Sequence, residues 1–450
     1  MSNSDRLVVI GGDAAGMSAA SKVRRVQKDR EIVVFERGYH TSYAACGMPY
    51  YIAGQVEDSD RLIARKPEVF RKKQNIDVRV RHEVIRIDTT DKIVVVNDLE
   101  KGEEFREGYG ELLIATGAIP VKPDLPGMDA KGVFSLSILQ TGIEVYKYIE
   151  SIKPQTAVIV GGGYIGIEMA EALLERGMKV SLVDMAPQVM TTMDPDMAGL
   201  ITDYMRKEGV EVYLEEKLER LEVGSGGRVD AVVTDKQTLE ADLVITGMGV
   251  RPNSGLVKDA GIETGVREAI RINKKMQTTV PGVWAAGDCA ESYHLITGEP
   301  TFIALGTVAN KHGLTAGTNI SGGDVEFPGV LGTAITKFND MEIARTGLSE
   351  KEAESLGRKF RSASIEARTR AGYYPGSDKI TVKLLADAKT NQLLGGQIVG
   401  MQGAGKRIDT IATALTAGMT ARNIMDLDLS YAPPFSPVWD PVQIAARKLA

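Results

Sequence analysis

One hydrophobic pattern occurs twice in the chain. Leu7–Ile10 is a short apolar run that stops at Gly11 and Gly12. An alanine- and serine-rich stretch follows as far as Arg25, and Glu31–Phe35 then returns to apolar residues and ends on Glu36. The same order recurs at Ala157–Val160, Gly161–Gly166, a stretch to Arg176, and Lys179–Val183 ending on Asp184. Fully apolar runs of four or five residues bounded by glycine predict buried parallel strands, and the intervening stretches predict crossover helices. Leu112–Thr116, Leu243–Thr246 and Val283–Ala286 are further apolar runs that end near glycine, as additional strands of the same sheets would. From about residue 326 the pattern changes. Extended runs at Ile380–Leu385 and Leu393–Val399 flank a turn-like Asp-Ala-Lys-Thr-Asn, and helical spacing resumes from about Lys406. The expected fold is α/β: two Rossmann-like dinucleotide-binding domains plus a C-terminal α+β module. The first would span 1–120 and 246–325, the second 121–245, and the module 326–450.

The glycines give these units their chemistry. Gly161-Gly162-Gly163-Tyr164-Ile165-Gly166 fits the G-x-G-x-x-G turn between strand and helix. There the first glycine makes the turn, the second admits a pyrophosphate and the third lets helix pack on strand. Free N–H groups at the helix start then meet the phosphates. Asp184, at the end of the next strand, suits a ribose diol and would repel a 2′-phosphate, so NADH is expected over NADPH. In the first unit Gly11 and Gly16 hold the outer places, but Asp13 stands where the middle glycine belongs. A carboxylate there opposes a pyrophosphate unless it points away or meets a cation. Glu36 takes the place of the ribose ligand.

Composition narrows the class. A net charge of −6 over 450 residues offers no basic surplus for nucleic acid. No uncharged apolar stretch approaches the length of a membrane span. The apolar run after the first six residues is too short for a signal-peptide core. Two cysteines, Cys46 and Cys289, in a chain of this size point to a reducing cytoplasm.

Ala115-Thr116-Gly117, Gly247-Met248-Gly249 and Gly287-Asp288, taken in order with the two glycine turns, resemble the pyridine nucleotide–disulfide oxidoreductases over nearly the whole chain. The resemblance implies FAD on Gly11, Gly12, Ala15, Gly16, Glu36, Arg37, Ala115, Thr116, Gly117, Gly287 and Asp288. It implies NADH on Gly161, Gly163, Tyr164, Ile165, Gly166, Glu168, Asp184 and Gly249, and a homodimer formed through the C-terminal module. No metal is implied. The family keeps its redox centre shortly after the first acidic ribose ligand, here Ser42-Tyr43-Ala44-Ala45-Cys46. Only Cys46 stands there, so its disulfide partner must come from outside the motif, or its sulfur must be oxidised to sulfenic acid. A helix start beside Cys46 is expected to favour its thiolate. Cys289 reads as a small packed residue.

Single-cysteine members resemble coenzyme A-disulfide reductases, NADH oxidases and NADH peroxidases. The peroxide and oxygen branches usually carry a histidine in the first glycine loop, where this chain has Ala14, and the last module holds no histidine. That module does hold Ala371-Gly372-Tyr373-Tyr374-Pro375-Gly376 and Ser430-Tyr431-Ala432-Pro433-Pro434, which look like the paired tyrosines of coenzyme A-disulfide reductases. Tyr373 and Tyr431 are therefore the candidate proton donors, expected to approach Cys46 of the partner subunit. Lys22 and Arg25 share a face of the first helix and suit an anionic ligand. By resemblance Ser18, Lys22, Arg25, Ser42 and Lys311 contact coenzyme A, while Ala45 departs from the asparagine common in relatives. The leading expectation is FAD-dependent, NADH-preferring reduction of coenzyme A disulfide through a Cys46–S–S–CoA mixed disulfide. An NADH oxidase and a CoA-dependent persulfide or polysulfide reductase are the enzymatic alternatives. An NADH-binding redox-signalling flavoprotein is the alternative of another class. The rhodanese extension of some persulfide-reducing relatives is not expected after Ala450.

Overall fold

The computed structural model describes residues 5–450. Leu7–Ile10 lies at the centre of a five-stranded parallel sheet in the order Val283–Ala285, Glu111–Ile114, Leu7–Ile10, Ile32–Glu36 and Asp77–Val80. The central strand Leu7–Ile10 is apolar and buried along its whole length, because helices cover one face of the sheet and an antiparallel ribbon the other. The second sheet repeats the order: Glu211–Leu214, Lys179–Asp184, Thr156–Val160, Leu243–Thr246 and Val133–Phe134. The two sheets differ in where the fifth strand comes from. Val283–Ala285 arrives from after its sheet's other strands, whereas Val133–Phe134 arrives from before them.

Each unit also inserts a three-stranded antiparallel ribbon, between Asp77–Val80 and Glu111–Ile114 in the first and between Glu211–Leu214 and Leu243–Thr246 in the second. These ribbons, His82–Gly108 and Leu218–Glu240, were not visible in the sequence pattern. Ala118–Pro120 pairs with Val250–Pro252, and this two-stranded strap carries the chain out of the first unit and back into it.

Residues 334–400 form a five-stranded antiparallel sheet that serves two cores. Successive residues on one strand point to opposite faces. Ile343 and Val399 accordingly join the core of the second unit, while Ala344 and Ile398 join that of the C-terminal helices Ile408–Thr416 and Pro441–Leu449. Buried Lys383 also faces the second unit, with Asp194 at 3.2 Å, Asp196 at 2.8 Å and Glu350 at 3.0 Å. Gln397 donates to Asp194 at 2.8 Å from the same sheet. Arg345 donates to the Thr192 carbonyl at 2.6 Å. The loop Met190–Asp194 is thereby fixed to the C-terminal sheet. Among the described residues no helix is long and apolar enough to cross a membrane.

Candidate active site

The two glycine turns are built alike, atom for atom. Gly11 and Gly161 have φ of +105° and +110°, which only glycine adopts without strain. A Cβ on Gly16 or on Gly166 would lie 2.0 Å from the carbonyl oxygen of Gly11 or Gly161. These outer glycines let each helix touch its strand. A Cβ on Gly163 would meet nothing within 4 Å, so this position opens onto free space at the helix start. Glu36 accepts from Gly12 N at 2.8 Å and Gly38 N at 2.6 Å, and Asp184 accepts from Gly162 N at 2.6 Å and Ala186 N at 2.8 Å. Both carboxylates are oriented by backbone before any ribose arrives. Ala115 and Gly247 occupy matching places, since their carbonyl oxygens would meet a Cβ on Gly11 and Gly161 at 2.1 and 2.5 Å. Gly117 and Gly249 follow, both with positive φ. Asn253 locks Thr116 and Gly117 to the strap by three hydrogen bonds.

Asp13 resolves the irregularity of the first turn. It is the N-cap of the helix Ala14–Val26 but makes no capping hydrogen bond. Its Oδ1 instead accepts from Tyr43 N at 3.1 Å. The carboxylate is thereby tied to the Tyr43 segment, and the helix start carries no side-chain cap. Burial and the Glu36 and Asp288 carboxylates push its pKa up to about 7, against the opposing N–H groups of Tyr43 and Ala14.

Gly287 sits between Ala15 and Ala309 with φ of +82° and delivers Asp288 to the start of the first helix. Asp288 Oδ1 is buried with no hydrogen-bond partner, and burial raises its pKa to about 6. An orphaned buried carboxylate oxygen calls for a donor that the protein does not supply. Flavin ribityl hydroxyls are such donors, and the open helix N-terminus beside them suits a pyrophosphate. The residues of the first unit fit FAD. Cys289 is fully buried, its thiol directed at the carbonyls of Ile114 and Ala286. Buried His312 accepts from Gly287 N at 3.4 Å and its pKa falls to about 4, so it stays neutral behind the Gly-Asp turn.

Cys46 lies in a short turn, Ala45–Gly47, that runs into the helix Met48–Ala53. That helix packs on Tyr164–Glu175 of the second unit, so Cys46 stands where the two units meet. Cys46 is exposed to solvent. The expected lowering of its pKa is not found. Desolvation, then the Glu168 carboxylate, push the thiol up, and the one opposing backbone N–H is outweighed. The helix beyond it is a turn and a half long, and its dipole is correspondingly weak.

Glu168 is held in turn from the C-terminal sheet. Thr336 donates to it at 2.8 Å, and Lys337 pairs with neighbouring Glu171 and lies 5.8 Å over the ring of Tyr50. Thr336, Lys337 and Tyr50 had no signal in the sequence, because their place depends on a sheet far along the chain. Tyr164 bonds to Thr192 in the braced loop, and burial raises its pKa. Ile165 packs into the second unit's core. Arg37 is exposed and lies 3.9 Å from Glu83.

Ser18 donates to Asn310 at 2.9 Å, and Lys22 lies against Gly317, so both edge the crossing of helix Ala14–Val26 with Gly306–Ile320. Arg25 and Lys311 are exposed on these same helices. Ser42 has φ of +48° and bonds to the Gly12 carbonyl at 3.2 Å. Tyr373 and Tyr431 are brought together, and the Tyr431 hydroxyl raises the pKa of Tyr373. Both are exposed, at 78% and 47%, beside Phe435 at 76%. A patch of this kind on a dimerisation module marks a surface meant to be covered.

Comparison with known proteins places this geometry. Residues 5–313 match the model of the pyridine nucleotide-disulphide oxidoreductases, and residues 333–441 match the dimerisation domain of the same family. The NAD(P)H sulfur oxidoreductase (CoA-dependent) of Pyrococcus furiosus is 43% identical over 99% of both chains. The coenzyme A disulfide reductase of Staphylococcus haemolyticus is 29% identical over 98% of this chain and 99% of its own. Among solved structures, the NAD-dependent persulfide reductase from A. fulgidus superposes with a TM-score of 0.94 at 37% identity, over 98% of this chain and 82% of its own.

Proposed function

This chain belongs to the pyridine nucleotide–disulphide oxidoreductase family and is an FAD-dependent NAD(P)H oxidoreductase acting on disulfide or persulfide sulfur, and from that footing we propose that it reduces the sulfur–sulfur bond of a coenzyme A-linked substrate through Cys46. The observation that carries this reading is a single accessible sulfur at the junction of two dinucleotide-type loops, with Cys289 sealed in the core. Bound FAD supplies the two-electron link between nicotinamide and sulfur. The chain's residues do the rest. The first unit's loop, Glu36 and Asp288 hold FAD, and the second unit's loop with Asp184 holds the reduced nucleotide. Ser18, Lys22, Arg25, Ser42 and Lys311 would receive coenzyme A along the helix crossing, where the two lysines and the arginine match its phosphates.

The Cys46 thiolate attacks the CoA-linked sulfur, forms Cys46–S–S–CoA and expels a thiolate, as in ordinary thiol–disulfide exchange. Tyr373 and Tyr431 of the partner subunit would protonate the departing sulfur. Glu168 and burial keep the resting thiol protonated, so the thiolate forms when a substrate or cofactor alters the cleft.

The names of the more similar relatives favour a persulfide or polysulfide of coenzyme A as a second reading, at 43% identity against 29% for the disulfide reductase. The deciding experiment supplies NADH with CoA disulfide or with CoA persulfide and measures free thiol, sulfide, peroxide and oxygen uptake. Thiol or sulfide release that Cys46→Ser abolishes is the expected result. Oxygen consumption that matches NADH turnover, with neither thiol nor sulfide formed, would replace this reading with an oxidase.

A further inference from the structure

The two glycine turns share their glycine contacts and their acid ligation, which makes the exchange of Gly163 for Asp13 informative. In each, a residue six places beyond the ribose acid bonds its N–H to the second glycine's carbonyl: Ser42 to Gly12 at 3.2 Å and Met190 to Gly162 at 2.8 Å. Both residues have φ of +48°. The second unit stops there, because Gly163 has no side chain. The first unit adds a further tie, Asp13 Oδ1 to Tyr43 N at 3.1 Å, and the segment it grips is the one that carries Cys46.

We propose that Asp13 is a positioning residue with two linked tasks: it ties the FAD glycine loop to the redox-cysteine segment through Tyr43, and it takes up a proton when the FAD pyrophosphate binds. The inference rests on the reading that FAD occupies the first unit.

The second task follows from charge. The groups that face Asp13 are Glu36 from the second strand, Asp288 from the fifth, and the backbone N–H groups of Tyr43 and Ala14, and no cation among them offsets its charge. The carboxyl already titrates at about 7 before any ligand anion is present. A pyrophosphate at the open helix start adds negative charge and moves the carboxyl further toward its neutral form. The proton comes from solvent. Oδ1 remains the acceptor for Tyr43 N–H, and protonated Oδ2 becomes a donor toward the phosphate. A group that would oppose the ligand as an anion thus assists it as an acid, while the tether to the cysteine segment is kept throughout.

Linkage gives the size of the effect. If binding takes up one proton, FAD affinity falls about tenfold per pH unit above the ligand-free value of about 7. The holoprotein is diluted at pH values from about 6 to about 9, and released FAD is read by its fluorescence. Wild type should lose FAD progressively above neutrality. Asp13→Asn keeps an acceptor for Tyr43 but cannot titrate, so its FAD retention should be flat over this range. Asp13→Ala should also be flat, and it lacks the tether. Alkylation of Cys46 in the holoprotein should therefore run at the wild-type rate in Asp13→Asn and severalfold faster in Asp13→Ala. A wild-type pH slope that persists in both variants would overturn proton uptake. Equal alkylation rates in wild type and both variants would overturn the tether. A wild-type protein that holds no FAD at any pH would instead remove the reading on which the proposal stands.

Discussion

Gly163 and Gly166 belong to one motif, yet the structure gives them different work, and alanine separates the two. At Gly166 a Cβ would stand 2.0 Å from the Gly161 carbonyl oxygen and 3.4 Å from Ile159 Cγ2. Ordinary contact requires well over 3 Å, so the helix Tyr164–Glu175 must retreat from its strand by about an ångström. Ile167, Met169 and Ala170 are fully buried on that helix and move with it. Overpacking of this kind costs about 1–3 kcal/mol or more, and a backbone oxygen cannot rotate aside as a side chain can. The gain in helix propensity, about 1 kcal/mol, does not offset it. Gly166→Ala should therefore lower Tm by several degrees or prevent folding of the second unit. At Gly163 no atom lies within 4 Å and φ is −81°, which alanine adopts freely. Gly163→Ala should melt close to wild type, because up to about 1 kcal/mol gained from the less flexible unfolded chain offsets a similar preference for glycine over alanine at this N-cap. The methyl group instead occupies the space over the helix start. Lengthening one charge-assisted hydrogen bond to a phosphate by an ångström forfeits most of about 1.5–3 kcal/mol, a tenfold or greater loss of NADH affinity. Thermal melts and NADH titration followed by fluorescence quenching read both effects. A Gly163→Ala protein that binds NADH as wild type does would show that this turn is not the nucleotide site, and a Gly166→Ala protein with an unchanged Tm would refute the packing argument.

Three further outcomes are expected. Asp184 is fixed by two backbone N–H groups, so a 2′-phosphate about 4 Å away meets at least 1 kcal/mol of repulsion per unit charge pair even at the dielectric of water. The kcat/KM for NADH should exceed that for NADPH by about tenfold or more, Asp184→Ala should narrow the ratio, and Asp184→Ala with Met185→Arg should reverse it; a wild-type preference for NADPH would contradict this. Glu168 is an anion acting on Cys46, so Glu168→Gln should lower the Cys46 pKa and speed alkylation at about pH 8, whereas Cys289→Ser should leave it unchanged; a slower reaction in Glu168→Gln would mean that its carboxylate does not face the sulfur. A Cys46→Ser chain mixed with a Tyr373→Phe/Tyr431→Phe chain should regain part of the activity once subunits exchange, because one site in the heterodimer is intact; proven exchange without recovery would end the shared-site reading.

The sequence by itself determined the strand–turn–helix units, their glycines and their acids, because those features are local. A strand that ends at Gly11 or Gly161 and a helix that must touch it at Gly16 or Gly166 are set by contacts within a few residues. The acids Glu36 and Asp184 lie one strand over, at a separation fixed by the crossover. The place of Cys46 was drawn from resemblance, and Cys289, read as a small packed residue, is buried against the distant Ile114 carbonyl. The tertiary structure decided what depends on groups remote along the chain. The direction of the Asp13 carboxylate hangs on Tyr43 N, and the raised Cys46 thiol on desolvation and on Glu168 from the other unit, held by Thr336 from a third. Neither could be read from a motif, since a pKa sums every charge and every desolvating atom nearby, whatever its distance in sequence. The antiparallel ribbons were likewise hidden, because short half-buried strands are specified by their partners more than by their own residues. The pairing of Tyr373 with Tyr431 was drawn from resemblance alone, and the fold supplies its cause: the Ala371 N–H bonds to the Pro433 carbonyl at 3.2 Å and joins two segments that the sequence keeps far apart.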